Sequence, residues 1–132
     1  MIDNSTIVAI ATANGIGSIS IIRLSGPKAL EISKKITHRD DFQPRLATLS
    51  NIHDKESNLI DEALILYFKA PFSFTGEDVV EFQCHGGVAI ANMLINEILK
   101  YDDARLAEPG EFSKRAFLNN KIDLSKAEAI SK

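Results

Sequence analysis

Residues 79–92 read VVEFQCHGGVAIAN and hold several groups able to do chemistry. Cys84 and His85 are a thiol and an imidazole, the parts of a nucleophile and its base. Such a pair must lie within hydrogen-bond reach. Adjacent residues on a strand point to opposite faces, so these two seldom meet. Cys84 shares parity with Val80 and Phe82 and reads as a small core residue. Zinc is a weaker reading still, because one cysteine and His38, His53 and His85 show no ligand spacing. Gly86-Gly87 before a helical pattern resembles an anion site, where free backbone N–H groups face a ligand. The simpler reading is a strand-to-helix turn that needs positive φ.

Glu81 lies on the other face of the same strand pattern, in step with Val79 and Gln83. Arg23 shares parity with Ile19 and Ile21 on its own strand. An arginine among isoleucines is costly to bury without a partner. Two readings stay open. One is a structural Arg23–Glu81 ion pair. The other is a ligand pocket: a carboxylate takes parallel N–H bonds from an amino-heterocycle, and an arginine holds a carboxylate in the same forked way. Lys114, Arg115 and Lys121 form a basic group that can touch phosphate or a ligand carboxylate, although such residues usually make a solvated helix face. Two nucleotide motifs fail. Gly15-x-Gly17 is followed by Ser20 where a dinucleotide fingerprint needs glycine, and there is no G-x-x-x-x-G-K-[ST].

The elements that position these groups follow from periodicity. STIVAIATA and GSISIIRLSG read as two strands with Asn14-Gly15 as a turn between them. SGPKALEISKKI reads as a helix with Pro27 in its first turn and Ala29, Ile32 and Ile36 as its apolar stripe. LATLSNIH and EALILYFKA read as strands. The second is apolar at both parities, which predicts a strand inside a sheet covered on both faces. PFSFTGED is a loop, VVEFQC a strand, and a helix follows from Gly87 with Asn92, Asn96 and Lys100 as its polar stripe. ARLAEP is a short strand and GEFSKRAFLNN a helix with Glu111 in its first turn. IDLSKAEAISK opens another helix, with Ser125 and Glu128 in a capping box. It reaches Lys132 without a stop signal, so the expectation is a piece of a longer protein. The order ββαβββαβα predicts an α+β domain with a mixed sheet.

The 132 residues suffice for one domain with a core, and the composition, 45% hydrophobic and 25% charged, is that of an ordinary globular protein. With 15 basic and 18 acidic side chains the net charge is −3, which argues against broad electrostatic binding to nucleic acid. A single cysteine makes no internal disulfide, and no stretch reads as a signal peptide or a membrane span. The expected location is cytoplasmic.

Taken together, TIVAIAT, IIRLSG, SFTGEDVVE, CHGG and above all RLAEPGEFSKRAFLNNKIDLSKAEAI resemble the N-terminal region of the tRNA-modification GTPase family called MnmE or TrmE. The resemblance runs over essentially the whole chain. It implies a folate-binding α+β domain, similar to that of aminomethyltransferases, over residues 1–118, which also drives homodimerisation. It implies that residues 119–132 begin a helical domain into which a GTPase domain is inserted. The family's enzyme works with the flavoprotein MnmG (GidA) in a heterotetramer. Together they place an aminomethyl or carboxymethylaminomethyl group on C5 of the wobble uridine of tRNA. The one-carbon donor is a tetrahydrofolate derivative, 5-formyl- or 5,10-methylene-tetrahydrofolate. The GTP, Mg²⁺ and K⁺ sites and the functional cysteine of the family lie beyond this chain. The family's folate contacts fall here on Arg23, Glu81 and Lys121. A pterin offers an amino group and a ring N–H to Glu81, and the glutamyl tail offers carboxylates to Arg23 or Lys121. Ala13, Asn14, Ser18 and Ser20 depart from the family's usual proline and glycines in the loop flanking that pocket.

Overall fold

The computed structural model describes residues 4–11 and 19–119. Their elements run β1 (Thr6–Ile10), β2 (Ser20–Ser25), α1 (Ala29–Thr37), β3 (Thr48–His53), β4 (Leu59–Phe68), β5 (Val79–Cys84), α2 (Gly87–Ile98), β6 (Ala104–Leu106) and α3 (Glu111–Leu118). This is the expected order. The six strands form one sheet in the order β3-β4-β5-β2-β1-β6. Only β1 and β6 pair in parallel, so the sheet is mixed.

One face of the sheet carries the core. Val8, Ile22, Val80, Phe82, Cys84, Ala63 and Ile65 project from it and pack with Ala29, Ile32 and Ile36 of α1 and Ala91, Leu94, Ile95 and Ile98 of α2. Asn92 and Asn96 lie exposed on α2, as the polar stripe requires, and Lys100 is exposed in the turn just past its end. No helix among the described residues is long and apolar enough to cross a membrane.

Two expectations need adjustment. The helix α1 starts two residues past Pro27, because Gly26 (φ 142°) and the Ala29 N–H bond to the Gly26 carbonyl (3.2 Å) make a turn first. Thr6 of β1 then accepts the Lys28 N–H at 2.9 Å, satisfying a donor that the helix start leaves open. The strand β4 is not covered on both faces by the described helices. Ala63, Ile65 and Tyr67 are buried, whereas Leu64, Leu66 and Phe68 are only half-buried. That second apolar row belongs to the face on which Arg23 and Glu81 stand. The Asn14-Gly15 turn, Lys121 and the helix predicted after Ile122 lie outside the described residues.

Candidate functional site

Arg23 and Glu81 are direct cross-strand partners in the β2–β5 ladder. Opposed positions bring side chains within reach, and the two groups meet. The guanidinium donates from Nε (2.7 Å) and Nη2 (2.6 Å), both to Oε2 of Glu81. The pair is therefore not a fork-to-fork bridge. One carboxylate oxygen takes two charged donors, and Oε1 is left with no partner among the described residues. The side chains are 29% and 15% exposed, so the pair is screened from water without being sealed off.

The surroundings are apolar and follow from strand parity. Leu66 opposes Glu81 from β4, and Ala9 opposes Arg23 from β1. In the next row Gln83 stands between Ile21 and Leu64. All of these residues are half-buried. The arrangement is a sheet floor of alkyl groups crossed by three polar side chains, with a carboxylate oxygen available. It suits a flat heterocycle that brings N–H donors to the carboxylate and stacks its rings on the leucines.

At the Ser25 end of this face the structure adds residues that the sequence reading missed. Glu77, at the end of the PFSFTGED loop, accepts from Ser25 Oγ (2.8 Å) and from Nη1 of Arg115 through both carboxylate oxygens (3.0 and 3.2 Å). Arg115 is only 3% exposed. It also donates to Glu111 (3.4 Å), which Arg105 grips through both of its terminal nitrogens. Asn119 Nδ2 donates to the Thr75 carbonyl at 2.9 Å, closing the link between α3 and the loop. Arg115 is thus a buried structural cation and not part of a solvated basic face, whereas Lys114 beside it is exposed. The one signal for this in the sequence is the Glu111/Arg115 spacing of four within a helix. Glu77 lies 38 residues from Arg115 and no local pattern connects them.

The hydrogen bonds from Arg105 and the Glu108 N–H, with the charge of Arg115, hold the Glu111 carboxyl down at about 2 against an ordinary 4.5. A depressed carboxylate pKa stabilises the fold above the unfolded value, and that contribution fades as pH falls through the folded value. Wild type should therefore melt above Glu111→Gln at neutral pH, with the gap narrowing from pH 4.5 down to about 2. Melting curves across that range check it, and a gap independent of pH contradicts it.

Cys84 is fully buried, and burial, followed by the charge of Asp61, pushes its thiol up to about 12. It is packing, as parity indicates. In the folded protein a disulfide reagent at about pH 8 should leave it unmodified, and denaturant should release it, because only the thiolate attacks. Rapid labelling of the native protein contradicts this. His85 is exposed, and its backbone N–H donates to Asp61 Oδ2 at 3.1 Å. Gly87 has φ 73°, and a Cβ on Gly86 would lie 1.9 Å from Ile90 Cγ1, so both glycines are explained by the turn into α2. His38 and His53 come together as a stacked ring pair, centroids 4.1 Å apart. Among the described residues no group of three or more His, Cys, Asp or Glu side chains is placed to hold a metal ion.

A cleft of about 300 Å³ lies elsewhere, lined by Lys28, Lys35, Lys55, Lys100 and Tyr101 among others. Its cations already have partners. Lys28 pairs with Glu31 and Lys100 with Glu97, while Lys35 and Lys55 lie over the Tyr101 ring. The Arg23–Glu81 face remains the candidate site.

The fold is an α+β domain, a mixed sheet with helices packed on it, whose other face carries a carboxylate and an arginine among apolar side chains. The sequence model of the family described as "GTP-binding protein TrmE N-terminus" matches residues 6–121, and the chain belongs to that family. Its relatives include the "tRNA modification GTPase MnmE" of Aliarcobacter butzleri, 72% identical over all of this chain and 29% of the relative. The protein of the same description from a Nitratiruptor species is 64% identical over 98% of this chain and 29% of its own length. That of Sulfurimonas denitrificans is 67% identical over 96% of this chain and 28% of its own. The chain thus spans under a third of the length of these relatives.

Proposed function

We propose that this chain is the folate-binding and dimerisation part of a tRNA-modifying GTPase. Residues 1 to about 118 form the folate domain, of the kind found in aminomethyltransferases, and residues 119–132 begin the helical domain. The whole enzyme forms a homodimer. With the flavoprotein MnmG it builds the 5-aminomethyl or 5-carboxymethylaminomethyl group of wobble uridine. GTP, Mg²⁺ and K⁺ serve its other domains, and this part hydrolyses no GTP. Arg23, Glu81 and Lys121 hold a tetrahydrofolate derivative, which supplies the one-carbon unit. Glu81 takes the pterin's amino group and ring N–H, and the cations take the glutamyl carboxylates.

The observation that carries this reading is the geometry of the ion pair. Arg23 engages Oε2 alone, which leaves Oε1 with no partner among the described residues and able to accept from a ligand. The cross-strand neighbours in this row include Leu66 and Ala9, and in part-buried surroundings a hydrogen bond to a charged acceptor counts for more than it does in water. The alternative reading is a dimerisation or tRNA-docking module without a folate site, the docking done by Lys114, Arg115 and Lys121; of these cations Arg115 is buried and paired, which counts against its part in docking. Calorimetric titration of the purified protein with 5-formyltetrahydrofolate tests the proposal. Saturable binding is expected, and absence of binding overturns it.

A further inference from the structure

We infer that Gln83 is a further contact of the ligand face and the residue that reads the atom attached to C4 of the pterin; this rests on the folate reading above. Gln83 stands two residues from Glu81 on β5, on the same face, about 7 Å along the strand. Its cross-strand neighbours are Ile21 on one side and Leu64 on the other. Neither side chain can hydrogen-bond. The Gln83 amide has no partner among the described residues and is half-buried. An amide held over alkyl groups is unfavourable unless something on that face bonds it. Arg23 bonds Glu81 through Nε and Nη2 and makes no bond to Gln83.

The chemistry of the two neighbours on β5 is complementary. An ionised Glu81 only accepts, whereas Gln83 donates through Nε2 and accepts through Oε1. A pterin carries, side by side on one edge, the 2-amino group and N3–H as donors and the C4 carbonyl as an acceptor. With the donors on Glu81, the carbonyl falls next along the strand direction, towards the Gln83 Nε2 donor. Carboxylate and amide then read the edge as donor, donor, acceptor. Replacing the amide with a group that only accepts sets two acceptors against each other, and that repulsion is a source of selectivity.

The test compares 5-formyltetrahydrofolate with its 4-amino counterpart, which puts a donor where the carbonyl was and turns N3–H into an acceptor, a change at Glu81 that wild type and both Gln83 variants meet alike. Both are titrated calorimetrically into wild type, Gln83→Met and Gln83→Glu. Gln83→Met keeps the length and loses the amide. It should bind 5-formyltetrahydrofolate roughly 5- to 10-fold more weakly, the effect of one neutral hydrogen bond. Gln83→Glu should shift the affinity ratio towards the 4-amino compound by about 10-fold or more. The ratio is internal to each protein. A loss of folded fraction scales both affinities alike and leaves it untouched. If wild type binds 5-formyltetrahydrofolate while the Gln83 variants keep affinity and ratio within about 2-fold, the role of Gln83 is overturned and the folate site stands. If wild type does not bind, the folate reading itself falls and takes this inference with it.

Discussion

Glu81→Ala should weaken binding of 5-formyltetrahydrofolate by about 100-fold or more, the loss of one or two hydrogen bonds to a charged acceptor. Two effects add. The pterin's amino and ring N–H donors lose their acceptor on a face that offers no other carboxylate within the same row, where Leu66, Arg23 and Ala9 are the neighbours. Arg23 also loses the anion that fixes it, and its guanidinium is free to swing towards water. Glu81→Gln separates these effects. It keeps the shape and one acceptor but removes the charge, so its loss should be smaller, roughly 10-fold. Glu81→Ala should also lower stability, because it leaves a part-buried Arg23 without its anion, whereas Glu81→Gln keeps an acceptor for the guanidinium and should cost less. Calorimetric titration gives the affinities, and melting curves confirm that the variants fold. Equal binding by wild type and Glu81→Ala would sink the folate site and leave Arg23–Glu81 as a structural pair.

How much of this is legible in the sequence differs by the range of the interaction. The element order follows from local periodicity, and apolar positions such as Ile19, Ile21, Ala29, Ile32 and Ile36 carry it. Parity places Glu81 opposite Phe82 and Arg23 with Ile21, and the structure agrees with both. Parity does not supply the register that sets Arg23 directly against Glu81, 58 residues away. Register comes from pairing along the whole ladder, and a slip of one residue would have put the two on opposite faces. The double apolar pattern of β4 predicts burial on both faces, yet its second row is only half-buried among the described residues. An apolar row does not say what covers it. Arg115 is the hardest to read. A lysine-arginine step in a helix looks solvated, and its burial depends on Glu77, supplied by a distant loop. The assignment of Lys121 rests on family resemblance alone.

Arg115→Met should cost about 3 kcal/mol or more of folding stability, the effect of removing one partner from a buried ionic network. Methionine fills much of the same volume, so the loss measures charge and hydrogen bonding more than a cavity. It leaves Glu77, with an 18% exposed side chain, holding only the Ser25 hydroxyl, whereas Glu111 keeps Arg105. The penalty therefore falls on Glu77. Pairing Arg115→Met with Glu77→Gln should recover part of the loss, and urea denaturation of the four proteins in that cycle gives the coupling between the two residues. Simple additivity of the single losses would contradict the network. A second readout ties it to the ligand face. Ser25 bonds Glu77 and lies two residues from Arg23 on β2, so loosening α3 loosens the end of the strand that carries the arginine. Arg115→Lys keeps a charge but loses the forked geometry. It should fold better than Arg115→Met while still binding 5-formyltetrahydrofolate more weakly than wild type. If Arg115→Lys binds as wild type does, the network holds α3 to the loop and has no part in shaping the site.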